Sequence, residues 1–183
     1  MDEDNFLLNV DNVGIATITL NRPAVHNAID DKLISELIPI LRTLNNDNSI
    51  RAIVLTGNGP SFCSGADLNW MKRMAAYNEI ENLRDASALA ELLTMFASSP
   101  KPTVALVQGD AFAGGLGLIC SCDIAISVDS AFFAITEVRL GLMPSVISPF
   151  VINAIGERNA RRYFLTAERF NAMTAKQIGL LQM

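Results

Sequence analysis

Residues 108–123 read Gln-Gly-Asp-Ala-Phe-Ala-Gly-Gly-Leu-Gly-Leu-Ile-Cys-Ser-Cys-Asp, and the reading of this stretch decides the fold. The apolar run Thr103–Val107 leads into it and reads as a strand. Glycines follow at 109, 114, 115 and 117, and then an apolar segment with the look of a buried helix. A strand that breaks at glycines and restarts as a helix leaves backbone N–H groups unpaired at the helix start. Those donors, with the positive end of the helix dipole, can hold a developing negative charge. The same residues equally serve a tight strand-to-helix turn that needs small side chains for packing. Both readings stay open on this stretch alone.

Working outward, Phe6–Val10 and Ile15–Leu20 read as strands joined at Asp11-Asn12-Val13-Gly14, a hairpin. Asp30 or Asp31 is placed to cap a helix with Leu33, Leu37, Ile40, Leu41 and Leu44 on one face. Pro39 lies inside that pattern and is expected to kink the helix or end its first part. Ala52–Thr56 is a short continuous apolar strand of the kind buried in a parallel sheet. Residues 57–68 are rich in small residues and show little regular pattern. Leu83–Ala97 has helical spacing, with Leu83, Ala86, Leu89, Ala90, Leu93 and Phe96 along one face. Asp123–Ser127 and Phe132–Ala134 read as short strands, and helices are expected at Val146–Ile155, Arg158–Ala167 and Thr174–Leu181. The order strand, loop, helix recurs about three times, which predicts an α/β fold with parallel strands.

The 183 residues suit a single domain with a sizeable core. Half of them are hydrophobic and the mean hydropathy is +0.30, yet no run reaches the roughly 18 apolar residues of a membrane span. Surplus apolar surface without a span points to burial against other subunits or in a large interior. A net charge of −5 argues against a nucleic-acid face. The acidic start, MDEDNF, has neither a basic nor an apolar leader region, so a cytoplasmic location of bacterial type is expected, with a mature organellar form as the alternative. Cys63, Cys120 and Cys122 suit a reducing compartment and read as buried free thiols. With His26 the only histidine, no metal site is expected.

Four motifs now line up. Ser61-Phe62-Cys63-Ser64-Gly65-Ala66-Asp67-Leu68 resembles the F-x-x-G-x-D-[LI] signature of the crotonase superfamily, the enoyl-CoA hydratases and isomerases. Residues 108–123 resemble its partner, V-x-G-x-A-x-G-G-G…C-D-I. Asn21–Ala28 looks like the family's N-R-P-x-x-x-N-A loop, and Glu137–Pro144 resembles its E-x-x-L-G-x-x-P. The resemblance covers most of the chain in the right order. It implies a spiral of β-β-α units with helices at the C-terminal end, packing as homotrimers or dimers of trimers. It also implies an acyl-CoA thioester as substrate, with no cofactor beyond the coenzyme A that the substrate carries. By position, the backbone N–H groups of Ala66 and Gly114 would form an oxyanion hole, and Glu137 would be the acid/base. Ala24, Val25, His26, Ala28, Ser64, Asp67, Leu68, Asn69, Phe112, Gly115, Pro144 and Ser145 would contact the substrate and its coenzyme A. His26 either meets a phosphate or is an ordinary loop histidine.

One departure matters for the chemistry. Hydratases of this family usually carry a first glutamate three residues after the oxyanion glycine, and this chain has Gly117 there. Hydration needs a water activated at C3 and a proton delivered at C2, work that two carboxylates divide. One carboxylate can shuttle a proton between C2 and C4, as an isomerase does, or hydrate if another group positions the water. Asp110 is a candidate helper, and Ser145 and Ser148 either bind water or cap a helix. The runs Asn69–Met74 and Thr136–Pro149 resemble relatives that hydrate methylglutaconyl-CoA or carboxygeranoyl-CoA in leucine and terpene breakdown. Lys72 or Arg73 would then pair with a distal carboxylate, or else both are solvated helix cations. The family usually continues past the point matching Met183, so part of its C-terminal helical region is expected to be missing, with Leu180 and Leu181 exposed.

The leading expectation is an enoyl-CoA hydratase. The alternatives are an isomerase using the same glutamate and, from another class, a non-catalytic acyl-CoA-binding or RNA-binding relative. A serine-protease role fails because His26 lies in the presumed nucleotide loop.

Overall fold

The computed structural model describes residues 4–183, so Met1–Glu3, the start of the acidic N-terminus, lie outside the described residues. Strands β1 (Phe6–Val10) and β2 (Ile15–Leu20) form the expected antiparallel hairpin. Asp11 closes its turn, Oδ1 accepting from the N–H groups of Val13 and Ile15 at 3.0 and 2.8 Å. Helix α1 (Asp31–Asn46) starts at Asp30, whose carboxylate accepts from Leu33 N at 2.8 Å. Its buried stripe is Leu33, Ile34, Leu37, Leu41 and Leu44, with Ile40 half-buried. Pro39 does not end or divide this helix. It is exposed, as is Ser35, whose carbonyl loses the intrahelical donor, so the missing bond is open to hydration.

Strands β3 (Ala52–Gly57), β5 (Thr103–Val107) and β7 (Ile124–Ser127) extend β2 in parallel, giving a five-stranded sheet of order β1-β2-β3-β5-β7. A second sheet has the order β4-β6-β8-β9 and is built from short strands: β4 (Ser61–Cys63), β6 (Asp110–Phe112), β8 (Phe132–Ala134) and β9 (Phe170–Asn171). The first three are parallel, and β9 returns antiparallel to β8. After the β1-β2-α1 unit, whose strands both join the first sheet, each turn of the chain places one strand in the first sheet, one in the second, and then a helical segment: the β-β-α spiral. The stretch 57–68, expected to be irregular, contains β4 and runs into helix α2 (Leu68–Met74).

Helix α3 (Glu79–Ala97) begins four residues before the expected Leu83, because Asn78 and Glu81 make a reciprocal capping box. It buries Leu92, Leu93 and Phe96 but leaves Leu83 exposed. Helix α4 (Gly114–Cys120) follows β6. Helix α5 (Ser148–Thr166) is interrupted by Gly156 at φ 75°, ψ 155°, which matches the expectation of two separate helices there. Helix α6 (Ala172–Gln177) is capped by Asn171. The core between the sheets and helices is made of Ile18, Leu20, Ile53, Leu55, Phe62, Phe96, Phe133 and Tyr163.

Leu180 and Leu181 are only 3% exposed, which corrects the expectation that they would face solvent. The segment beyond α6 runs back beside β7, with Gln182 N donating to Ala125 O and Ser127 N to Met183 O. That pairing turns the two leucines into the core. No described helix is long and apolar enough to cross a membrane.

Candidate functional site

The parallel strands β4, β6 and β8 lie side by side, so their C-terminal ends open on one edge of the second sheet. Parallel sheets place ligands at that edge. Each strand delivers one of the residues singled out above: Ala66 after β4, Gly114 after β6, Glu137 after β8.

The loop after β4 is stitched to the first motif by backbone bonds. Ser64 N donates to His26 O, Ile29 N to Gly65 O at 2.7 Å, and Asp67 N to Ile29 O at 2.8 Å. These bonds use the neighbours of Ala66 and leave its own N–H without a protein acceptor among the described residues. Gly114 opens α4, where the first N–H groups have no intrahelical partner, and its donor is free in the same sense. The two loops abut: a Cβ at Gly65, which has φ +95°, would lie 2.9 Å from Ala113 Cβ and 3.6 Å from Gly114 N. Likewise a Cβ at Gly115 would come within 2.5 Å of Cys63 O. Only glycines allow this approach of backbone to backbone. Ala113, between β6 and α4, is held at φ 48°, ψ −116°, a conformation costly for a residue with a Cβ. Its N–H is tied to Ala134 O at 2.9 Å, which also registers β8 against the start of α4.

Glu137 begins a 3-10 turn, Glu137–Leu140, three residues beyond that bond. Its Oε2 has no hydrogen-bond partner and no accessible surface. Burial raises its pKa above the ordinary carboxylate range, opposed by backbone N–H groups of Glu137 and Thr136. A raised carboxylate pKa means the native state holds the proton more tightly than the unfolded chain does. The associated stability is therefore present at acid pH and is lost as pH rises through the native pKa. Glu137→Gln is accordingly expected to gain stability relative to the parent as pH rises from 4 to 8. Paired urea titrations across that range test it, and a constant difference in midpoint would contradict it.

The remaining expected contacts divide. Ala24 and Val25 sit in a short 3-10 turn, Pro23–Val25, and His26 follows at φ 54° with Nδ1 2.9 Å from Ser61 Oγ. Val25, His26, Leu68 and Asn69 are exposed, and Ser64 is half-buried. Ala28 is buried, and its carbonyl accepts from Arg22. Asp67 is not open to a ligand: its carboxylate caps α2 through the N–H groups of Asn69 and Trp70 and pairs with Arg22 at 3.0 Å. Those partners hold its pKa below the usual range against the opposing effect of burial, which is the largest single influence. Phe112 lies under the Arg169 guanidinium, 5.3 Å from its ring centroid. Gly115 serves packing against Cys63. Pro144 is buried and Ser145 exposed, their carbonyls accepting from Ser148 N and Ser148 Oγ respectively. Asp110 is not a free helper, since it accepts from Phe132 N and pairs with Arg169 at 3.0 Å. Arg73 pairs with Asp31 at 2.6 Å, whereas Lys72 makes no ion pair among the described residues. The cysteines are free thiols, and burial pushes Cys63 and Cys120 up to about 12.

Two residues of the N-R-P-x-x-x-N-A motif, Arg22 and Asn27, hold the site in a role that the sequence reading did not assign to them. Arg22 reaches Asp30 at 2.9 Å, Asp67 at 3.0 Å and the Ala28 carbonyl, tying α1, α2 and both loops together. Asn27, fully buried at φ 54°, donates to Asn58 O and Ser61 O and accepts from Arg22 N. No local pattern marks these contacts, because Arg22 and Asp67 are 45 residues apart. Arg22→Ala leaves two largely buried carboxylates uncompensated and is expected to cost about 3 kcal/mol of stability. Arg22→Lys should recover only part of it, since an ammonium cannot reproduce the planar fork. Chemical denaturation of both variants tests this, and an Arg22→Lys protein as stable as the parent would count against a role for the planar fork.

A β-β-α spiral in which two unpaired backbone donors and Glu137 follow three neighbouring parallel strands fits the enoyl-CoA hydratase/isomerase family. The family model of that description matches residues 11–183, and the chain belongs to this family. It is 37% identical over 172 residues to enoyl-CoA hydratase AKT6-1 of Alternaria alternata, covering 92% of this chain and 54% of that protein. It is 35% identical over 174 residues to the hydroxycinnamoyl-CoA hydratase-lyase of Pseudomonas fluorescens, covering 92% and 62%. A crystal structure of an enoyl-CoA hydratase from Shewanella pealeana superposes with a TM-score of 0.95 at 45% identity, over 98% of this chain and 67% of that one. Pseudomonas aeruginosa AtuE superposes at 0.94 and 37% identity, over 98% and 69%. The chain therefore spans about half to two thirds of the length of these relatives.

Proposed function

We propose that this chain acts on an enoyl-CoA thioester through an enolate. In this reading the thioester oxygen accepts from Ala66 N–H and Gly114 N–H, and Glu137 alone moves the proton. The observation that carries it is that three neighbouring parallel strands lead into two unpaired backbone donors and into Glu137, whose Oε2 is orphaned. Negative charge develops on that oxygen when C2 gains or loses a proton, and fixed donors there stabilise it without reorganising. For hydration, Glu137 takes a proton from water as its oxygen bonds to C3, then returns that proton to C2. Hydration is the first reading, supported by relatives named as hydratases. Double-bond migration, with Glu137 carrying a proton between C2 and C4, is the second. Its support is Gly117, where no carboxylate stands and a Cβ would already meet Ile147.

The substrate supplies its own coenzyme A, and the reading calls for no further cofactor. Exposed Leu140, Met143, Leu165 and Met173 are apolar surface suited to burial in a homotrimer or dimer of trimers. Breakdown of branched acyl chains from leucine or terpenes in the cytoplasm is the finer reading, with exposed Lys72 left to meet a distal carboxylate. Incubation with linear, 3-methyl-branched and carboxylated 2- and 3-enoyl-CoA thioesters, followed by mass and chromatographic analysis, tests all of this. A gain of one water supports hydration and an unchanged mass with a shifted double bond supports migration. Binding without turnover of any thioester would instead favour a non-catalytic acyl-CoA carrier.

A further inference from the structure

Gly117 lies one helical turn beyond Gly114 on α4, so a side chain there would project beside the donor at the helix start. The space it would enter is filled. A Cβ at 117 would fall 2.5 Å from Ile147 Cγ2, 3.1 Å from Ile147 Cβ and 3.4 Å from Leu93 Cδ1. Ile147 is 3% exposed and Leu93 fully buried, so neither can swing into solvent to make room. Ile147 sits where the chain returns from the Glu137–Leu140 turn, immediately before α5. It therefore stands between the helix that carries Gly114 and the segment that carries Glu137.

We infer that Ile147 is a specificity-determining residue which, by filling the Gly117 side of the site with hydrocarbon, holds water addition back relative to double-bond migration. This rests on the reading that Glu137 and Gly114 serve an enoyl-CoA substrate. The physical reason is that water attacking C3 must be oriented and lose a proton, which needs a polar group. The wall made by Leu93, Gly117 and Ile147 offers none, and an apolar wall gives a water no partners. Proton migration needs only one carboxylate that reaches both carbons. The side chain at 147 thus limits where a water-activating group can stand.

The test is a cycle of four proteins: the parent, Gly117→Glu, Ile147→Ala and the double variant. Thermal midpoints and the ratio of hydrated to double-bond-shifted product are measured for each. Gly117→Glu alone is expected to lower the midpoint because its Cβ meets Ile147, and the double variant to recover much of that loss. The double variant should also raise the hydration-to-migration ratio by roughly a hundredfold, the lower end of what a positioned acid or base contributes. A folded, active double variant with the parent's ratio would overturn the inference, as would a Gly117→Glu protein as stable and as hydrating as the double variant. Absence of turnover in all four proteins would refute the underlying enoyl-CoA reading. The thermal cycle would still separate the cases, since purely additive midpoints for Gly117→Glu and Ile147→Ala would remove the steric plug by themselves.

Discussion

Glu137→Gln is expected to lower turnover of the preferred enoyl-CoA by at least about a hundredfold, the scale contributed by a positioned general acid or base. The amide matches the carboxylate in shape but cannot accept and return a proton. Oε2 of Glu137 is buried and unpartnered, and the amide keeps an oxygen that can still accept from the backbone N–H groups of Glu137 and Thr136. Loss of activity should therefore appear in kcat with little change in KM. The raised pKa sets a second signature. If Glu137 acts as base, the parent's kcat should rise with pH through an ionisation above the ordinary carboxylate range, and the residual activity of Glu137→Gln should lack that limb. A variant with undiminished kcat would remove Glu137 from the mechanism.

The second large effect concerns a single hydrogen atom. Replacing Gly114 by its α-hydroxy analogue turns the amide N–H into an ester oxygen and changes nothing else in size. Because that N–H bonds to no protein acceptor among the described residues, folding should be little affected. Turnover should fall by about 10²–10³, the cost of one oxyanion donor. The same exchange at Gly117, whose N–H bonds to Ala113 O at a long 3.4 Å, is the control. Equal losses at the two positions would mean that helix stability, not charge stabilisation, explains the effect.

Much of the frame was legible because it is written in local periodicity. The 6–20 hairpin, the α1 stripe and the buried strands at 52 and 103 carry their pattern within a few neighbouring residues. Of the second sheet only β8 was legible, as the short strand read at Phe132–Ala134, because β4 and β6 are three residues long and β9 two, and none of the three shows alternation. Their pairing becomes visible only once the chain has wound back on itself. Pro39 misled for a related reason: its cost depends on whether the lost bond faces water, which the helix's orientation decides. The exposure expected of Leu180 and Leu181 failed because their burial depends on Gln182 pairing with Ala125, 57 residues away.

At the site, the sequence by itself determined which residue types are present: glycines that allow close approach at 65, 114 and 115, one glutamate at 137, and no carboxylate at 117. It also determined their order, which is enough to assign the family. The tertiary structure decided what those residues can do. Parallel pairing of β4, β6 and β8 brings the donors and Glu137 to one edge. Burial leaves Oε2 of Glu137 without a partner, and Arg22 locks the loops by reaching Asp67, 45 residues away. At 117 the sequence records only a missing carboxylate, whereas packing shows Ile147 standing in the space. Hydrogen-bond partners, burial and excluded volume belong to pairs of residues far apart in the chain, and folding alone sets those distances.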